Sequence, residues 1–193
     1  MGYPVEVTLD APTRVANWRP LVHWLLALPH LIIANALSSL GGVLAIVSWF
    51  IILFTGSLPS AIATLQCMVI RYQVRAYSYA LWLHEEYPPF DFTMTGADPG
   101  GDPVRVDIDV QLEERNRLTV GLRMFWILPI ALFYAVVSLA ATVMAVVGFV
   151  AVLVTGSWPE GLRTFLVGAI RLGTRVGAYA WLLVDDYPPF SLD

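Results

Sequence analysis

The sequence predicts an all-α membrane protein: two tandem repeats of one helical unit, four membrane-spanning helices and a small extramembranous β-ribbon. Three observations lead there. The first is an internal duplication, the feature to look for before any fold is guessed. Tyr87-Pro88-Pro89-Phe90 recurs as Tyr187-Pro188-Pro189-Phe190, Arg71 and Arg75 as Arg171 and Arg175, and Tyr79 as Tyr179. Thr55-Gly56-Ser57-x-Pro59 recurs as Thr155-Gly156-Ser157-x-Pro159, and residues 21–90 and 121–190 share 22 identities in 70 ungapped positions. The second is composition: 58% of residues are hydrophobic and 13% charged, where a soluble domain carries about 25% charged residues. The third is the length of the apolar runs. Residues 21–54 hold no charged side chain apart from histidine, and residues 124–159 hold none at all; both exceed the ~18 residues that indicate a membrane span.

The duplication divides the chain into repeat 1 (residues 1–90), a linker (91–103) rich in Gly and Pro, and repeat 2 (104–193). Each repeat opens on an alternating segment, Val5 to Asp10 and Val104 to Val110. Period-two alternation of β-branched residues reads as a half-buried strand. A lone strand cannot satisfy its backbone, so the two are expected to pair into a ribbon resting on the rest of the molecule.

A long apolar segment follows, roughly 18–54 and 117–154. As one straight helix, 35 residues would measure about 52 Å against a hydrocarbon core near 30 Å. Pro29 and Pro129 offer a break, giving an interfacial lead-in with Trp18 and Trp24 as anchors and then a span from about residue 30 to 54. A re-entrant hairpin bending at Gly41-Gly42 is the competing arrangement, but the second repeat has Ala141-Thr142 there and no helix breaker. Small residues recur along this segment: Ser38, Gly41 and Ala45 in repeat 1, and Ser138, Ala145 and Gly148 in repeat 2. Spacings of three and four place them on one helix face, where close backbone approach holds membrane helices together.

Thr-Gly-Ser-x-Pro then makes a turn, with glycine after one helix, serine capping the next and proline in its first turn. The second helix is expected to run to about residue 84 or 184, ended by the Pro-Pro pair. Both halves should follow one helical path. Ser60, Thr64, Cys67, Arg71, Arg75 and Ser78 lie on one face of this second helix, with Arg171 and Arg175 on its counterpart. A central arginine costs roughly 2.5–3.5 kcal/mol on insertion scales. Two arrangements stay open: an interfacial helix whose arginines meet lipid phosphates, or four arginines converging about a pseudo-twofold axis on an anion or on acidic residues of another subunit.

Six arginines (14, 19, 105, 115, 117 and 123) flank the starts of the long segments, whereas Arg163 alone lies near a Thr-Gly-Ser turn. By the positive-inside rule this asymmetry favours cytoplasmic termini and linker, parallel halves and a multi-pass protein of the cell's inner (plasma) membrane. The first 20 residues, with Glu6, Asp10, Arg14 and Arg19, do not resemble a secretory signal.

The net charge of −4 argues against nucleic acid. His23, His30 and His84 lack zinc-ligand spacing. The pairs Glu85-Glu86 and Asp185-Asp186 point about 100° apart on a helix, which disfavours joint chelation and suggests solvated helix ends. No nucleophile elbow, P-loop or dinucleotide fingerprint occurs. Neither an enzyme nor a cofactor or metal site is therefore expected.

The pattern Leu28-Pro29-His30, Phe54-Thr-Gly-Ser-x-Pro59, Arg71-x3-Arg75-x3-Tyr79 and Tyr87-Pro-Pro-Phe90 resembles a bacterial membrane family known only as a domain of unknown function, common in actinobacteria. The resemblance covers both repeats, departs at Ile130 where His30 stands in repeat 1, and implies membrane location but no activity. Two functions follow as expectations. One is a non-enzymatic accessory or scaffold subunit of a membrane assembly, with membrane lipids and a partner subunit or a second copy as its contacts. The alternative is a binding or transport protein for an anionic lipid or other amphiphilic anion, using Arg71, Arg75, Arg171 and Arg175.

Overall fold

The structure is a computed structural model and describes residues 2–193. Its elements run β1 (Val5–Leu9), α1 (Arg19–Thr55), α2 (Ser60–Ala80), β2 (Val104–Ile108), α3 (Arg117–Gly121), α4 (Arg123–Thr155) and α5 (Glu160–Ala180). The fold is mostly helical and duplicated. α1–α2 and α4–α5 are equivalent hairpins. The short α3, equivalent to residues 17–21, matches the first turn of α1 but is set off from α4 at Leu122 and capped by the Asn116 side chain, which accepts from the Leu118 and Thr119 amides.

The expected ribbon forms. β1 and β2 pair antiparallel with Val7 opposite Val106. Val5, Val7, Val104, Val106 and Ile108 turn inward onto Cys67, Ile70 and Val74 of α2 and Ala178 of α5, while Glu6, Thr8, Arg105 and Asp107 face water.

Each hairpin packs antiparallel along its whole length. In repeat 1 the His23 ring stacks on Tyr79 at 4.2 Å, His30 Nδ1 and the Tyr72 hydroxyl lie 2.8 Å apart, and Gln73 donates to the Ala34 carbonyl. Ile52 joins Leu58 and Ala63 in one apolar cluster at the far end. In repeat 2 the Arg123 guanidinium sits over Tyr179 at 3.8 Å, and Gly148 backs onto Trp158. α2 and α5 lie side by side in opposite directions, so the halves are inverted and not parallel as expected. Ile70, Val74 and Tyr77 of α2 with Ile170, Thr174 and Gly177 of α5 line a narrow groove between them.

Three layers result. The ribbon and linker lie on one side of the α2/α5 pair, and α1 and α4 lie on the other. On α2, Tyr72, Ala76 and Tyr79 form the stripe that meets α1, while Arg71 and Arg75, about 100° away per residue step, meet the linker and ribbon.

Several expectations need correction. Pro29 and Pro129 do not break their helices; each sits inside α1 or α4, because a proline forfeits one i→i−4 bond that the adjacent turns can bridge. α2 and α5 end at Ala80 and Ala180, four residues short of the expectation. Trp82 (φ 46°) and Leu182 (φ 64°) adopt left-handed geometry there, and Leu83 and Leu183 donate back to the Ser78 and Ala178 carbonyls. A left-handed non-glycine costs about 1–2 kcal/mol, offset by full burial of Leu83 and Leu183. The Tyr-Pro-Pro-Phe segments fold back along the hairpins while their aromatic side chains stay partly exposed. Tyr87 packs edge-on against Tyr79, Phe90 stacks on His30 at 4.2 Å, and Tyr187 and Phe190 make matching contacts with Tyr179 and Phe133.

Four spans are not supported. Two helices, α1 and α4, are long and apolar enough to cross a membrane, with mean hydropathy 2.2 and 2.6 over their most apolar stretches. α2 and α5 are central helices enclosed by the other two layers. Large apolar side chains cover the outer face of α1 (Leu25, Ile32, Val43, Ile46, Phe50, Phe54) and of α4 (Phe125, Leu132, Val136, Leu139, Val146, Val150), all exposed.

The small-residue positions meet α2 and α5 unevenly. Gly41 lies against the Trp181 ring and Gly148 against the Trp158 ring. Ser38, Ala45, Ser138 and Ala145 are half-buried. Trp158 is buried and its Nε1 donates to the Trp82 carbonyl at 3.0 Å, so it cannot yield. Gly148→Ala is expected to cost ~1–3 kcal/mol by overpacking, whereas Gly42→Ala, with open space around it, should stabilise by up to ~1 kcal/mol through helix propensity. Thermal unfolding of the two variants checks the pair.

Candidate functional site

The polar chemistry of this chain gathers where the ribbon, the linker and the helix ends meet. At its centre is Asp98, from a segment whose glycines and prolines read as linker. Its side chain is fully buried. Oδ1 accepts from Arg75 Nη2 at 2.7 Å and from the Gly100 amide at 2.7 Å; Oδ2 accepts from the Val106 amide at 2.7 Å and faces Arg71 Nε at 3.5 Å. Arg71 also donates to the Thr93, Thr95 and Ala97 carbonyls, and Arg75 to the Val104 carbonyl and to Asp91. Both arginine side chains are 3% exposed. Charge-assisted bonds of this kind suit the planar guanidinium, which offers five donors in a fixed fork.

The corresponding arginines of repeat 2 take separate partners. Arg171 Nε donates to the Val7 carbonyl of β1 at 2.9 Å, and Arg175 donates to the Asp193 main-chain carbonyl. The four arginines are thus brought to one face of the α2/α5 layer, each engaged with the chain's own groups rather than with one another around a common anion.

A second polar centre lies within repeat 2. Arg115 grips Asp185 with two bonds, at 3.0 and 2.7 Å, and donates to the Leu182 carbonyl; Arg123 bonds the same carboxylate. Burial alone would raise the Asp185 carboxyl, but hydrogen bonds and charge from Arg115 and Arg123 outweigh it and hold the group below the ordinary carboxylate value. In repeat 1, Glu85 receives the Ala16 amide and pairs with Arg19 at 3.5 Å. The first member of each acidic pair is therefore a structural acceptor and not a solvated helix end.

The turns are completed across repeats. The Leu58 amide donates to Leu112 and the Arg115 amide to Gly56, while the Trp158 amide donates to Thr13 and the Val15 amide to Gly156. Gly56 and Gly156, at φ 78° and 66°, supply the left-handed conformation this needs. An open cleft of about 920 Å3 lies at one such junction, bordered by Asp10, Arg14, Asn17, His84, Glu85 and Glu86. Burial pushes His84 down to about 4, keeping it neutral at pH 7. Burial also pushes the nearby Asp102 carboxyl up to about 6. Val184 and Arg123 replace His84 and His23 in the other half, so the two histidines are not repeated. Among the described residues, no group of three or more His, Cys, Asp and Glu is placed to hold a metal ion.

Fold and site together define a duplicated helical protein with two long, outward-facing apolar helices and a polar layer in which buried arginines pair with the chain's own carboxylates and carbonyls. The family model described as Domain of unknown function (DUF4389) matches twice, at residues 17–91 and 117–191, and the chain belongs to that family. No curated protein and no solved structure matches it. The family match coincides with the duplication read from the sequence. Asp98 was not singled out in the sequence, and Asp185 and Arg115 were named there for other reasons; a buried acidic partner for each buried arginine is the demand that could have pointed to their pairing.

Proposed function

We propose that this protein is a non-enzymatic membrane-bound scaffold or accessory subunit. α1 and α4 enter the lipid of the inner membrane, and the ribbon, linker and termini face the cytoplasm. One observation carries the reading: only 17% of the most apolar stretch of α1, and 17% of that of α4, is buried. Core helices of a water-soluble protein would be enclosed, and contiguous exposed apolar patches beyond a few hundred Å2 mark an interaction or membrane surface. Arg71 and Arg75 are already engaged by the chain's own carboxylates and carbonyls, which favours the scaffold over the anion-transport alternative.

The test has two arms. Full-length protein expressed in bacteria is expected to stay with membranes through high-salt and alkaline washing. Recovery as a monodisperse species in detergent-free buffer would refute membrane attachment. Mild solubilisation of native membranes should then yield a complex heavier than the purified chain in the same detergent. Equal masses in the two preparations would refute the scaffold role.

A further inference from the structure

We infer that the protein lies flat in one leaflet, with α1 and α4 parallel to the membrane plane and no segment crossing it. This rests on the membrane attachment proposed above and assigns the occupant of the exposed apolar face as the acyl chains of a single leaflet.

The argument is one of relative direction. α1 runs alongside α2 from His23–Tyr79 to Ile52–Leu58, and α4 runs alongside α5 from Arg123–Tyr179 to Gly148–Trp158. A membrane normal along α1 would therefore also run along α2. Arg71 lies at the middle of α2, and around it sit the Thr93, Thr95 and Ala97 carbonyls, Asp98 and the edge of the ribbon. Spanning would put those groups, and the outward-facing Glu6, Arg105 and Asp107, at mid-bilayer depth. No irregular backbone or strand edge is tolerated against lipid there, and each central charge adds roughly 2.5–3.5 kcal/mol.

Turning the molecule by a right angle removes the conflict. The ribbon and linker then point to water, the α2/α5 layer lies at the headgroup level, and the outer faces of α1 and α4 reach the acyl chains. Interfacial helices bury their apolar face about 5–10 Å deep, close to one helix diameter. The aromatic side chains agree with this placement. Trp18 and Trp24 near the start of α1, and Trp126 near the start of α4, are each more than half exposed, and tryptophan favours the interface. The helix length also ceases to be a problem, since 37 residues need not match a bilayer thickness. The polar Asn35 and Ser39 of α1 bond their own helix carbonyls and so add no unpaired group to the lipid face.

The experiment uses the full chain with Cys67, which is buried, changed to serine. Single cysteines replace Leu25, Ile32, Val43 and Phe50, each carrying a nitroxide label. The protein is reconstituted in phosphatidylcholine–phosphatidylglycerol vesicles, and depth is read from the ratio of oxygen to nickel-chelate accessibility. A flat helix should place all four labels within ~5 Å of one another in depth, within the acyl region of one leaflet. A spanning helix would instead show a maximum at Val43, deeper than the end positions by up to ~15 Å, and that profile would overturn the flat arrangement while leaving membrane attachment intact. Aqueous accessibility at all four sites, or strong spin–spin broadening without oxygen contact as in a face buried by a second copy, would overturn the membrane reading itself.

Discussion

Asp98→Ala is expected to be the most damaging single change outside the apolar helices. It removes the acceptor shared by Arg75 Nη2 and the Gly100 and Val106 amides, together with the ion pair to Arg71. It leaves Arg71 without its counter-charge and Arg75 with Asp91 alone, both guanidinium side chains being 3% exposed. Breaking one partner of a buried pair costs ~3–5 kcal/mol, because the other charge stays desolvated. For a chain of this size that corresponds to a Tm lower by roughly 10 °C. Scanning calorimetry in a constant detergent checks the figure, and Asp98→Asn separates its components by keeping the shape and part of the hydrogen bonding. Arg71→Lys should fall between them, since one ammonium cannot reach carbonyls at 93, 95 and 97 at once. A Tm within 2 °C of the parent in Asp98→Ala would mean that the linker is not docked on α2 in the membrane-bound protein.

How much of this architecture was legible beforehand depends on range. The duplication, the ribbon and the Thr-Gly-Ser-x-Pro turn are local patterns: alternation of period two, a left-handed glycine, a proline that starts a helix. Each survives into the structure because only its neighbours decide it. The four-span expectation failed for a physical reason. It rested on the arginine asymmetry, which records which ends of the apolar segments carry charge and not whether the next helix crosses. α2 and α5, each with two arginines on one face, are not apolar enough to span. The arginine stripe was read as a surface in need of an external anion. Its partner was 23 positions downstream of Arg75 and 27 downstream of Arg71 in a Gly/Pro-rich stretch, where no periodicity marks Asp98 as buried. The helix ends at Ala80 and Ala180 were hidden behind the stronger Pro-Pro signal, since nothing local in Leu81-Trp82-Leu83 announces a left-handed residue. The cross-repeat exchange, in which Leu112 and Thr13 complete the turns of the opposite half, lies wholly beyond local pattern. It also makes the two repeats one folding unit, although the sequence divides cleanly between them.

That exchange sets up the second large effect, at Asp185. Arg115 comes from the segment before α3 and Arg123 from the start of α4, and both converge on this one carboxylate after α5. Their side chains are 0% and 4% exposed. Asp185→Ala therefore strands two buried cations and should cost ~3–5 kcal/mol, whereas Glu86→Ala, at an exposed position, should fall within ~0.5 kcal/mol of the parent. The pH dependence gives an independent check with a definite sign. The folded Asp185 carboxyl titrates below its unfolded value of 3.8, so its contribution is fully present above about pH 4 and is lost as pH falls through the folded value. Between pH 7 and pH 3 the parent should lose more stability than Asp185→Ala, because the variant has no such proton to take up. Equal losses in the two proteins, measured as Tm against pH in the same detergent, would place the acid sensitivity elsewhere and show the Arg115–Asp185–Arg123 clamp to be loosely held.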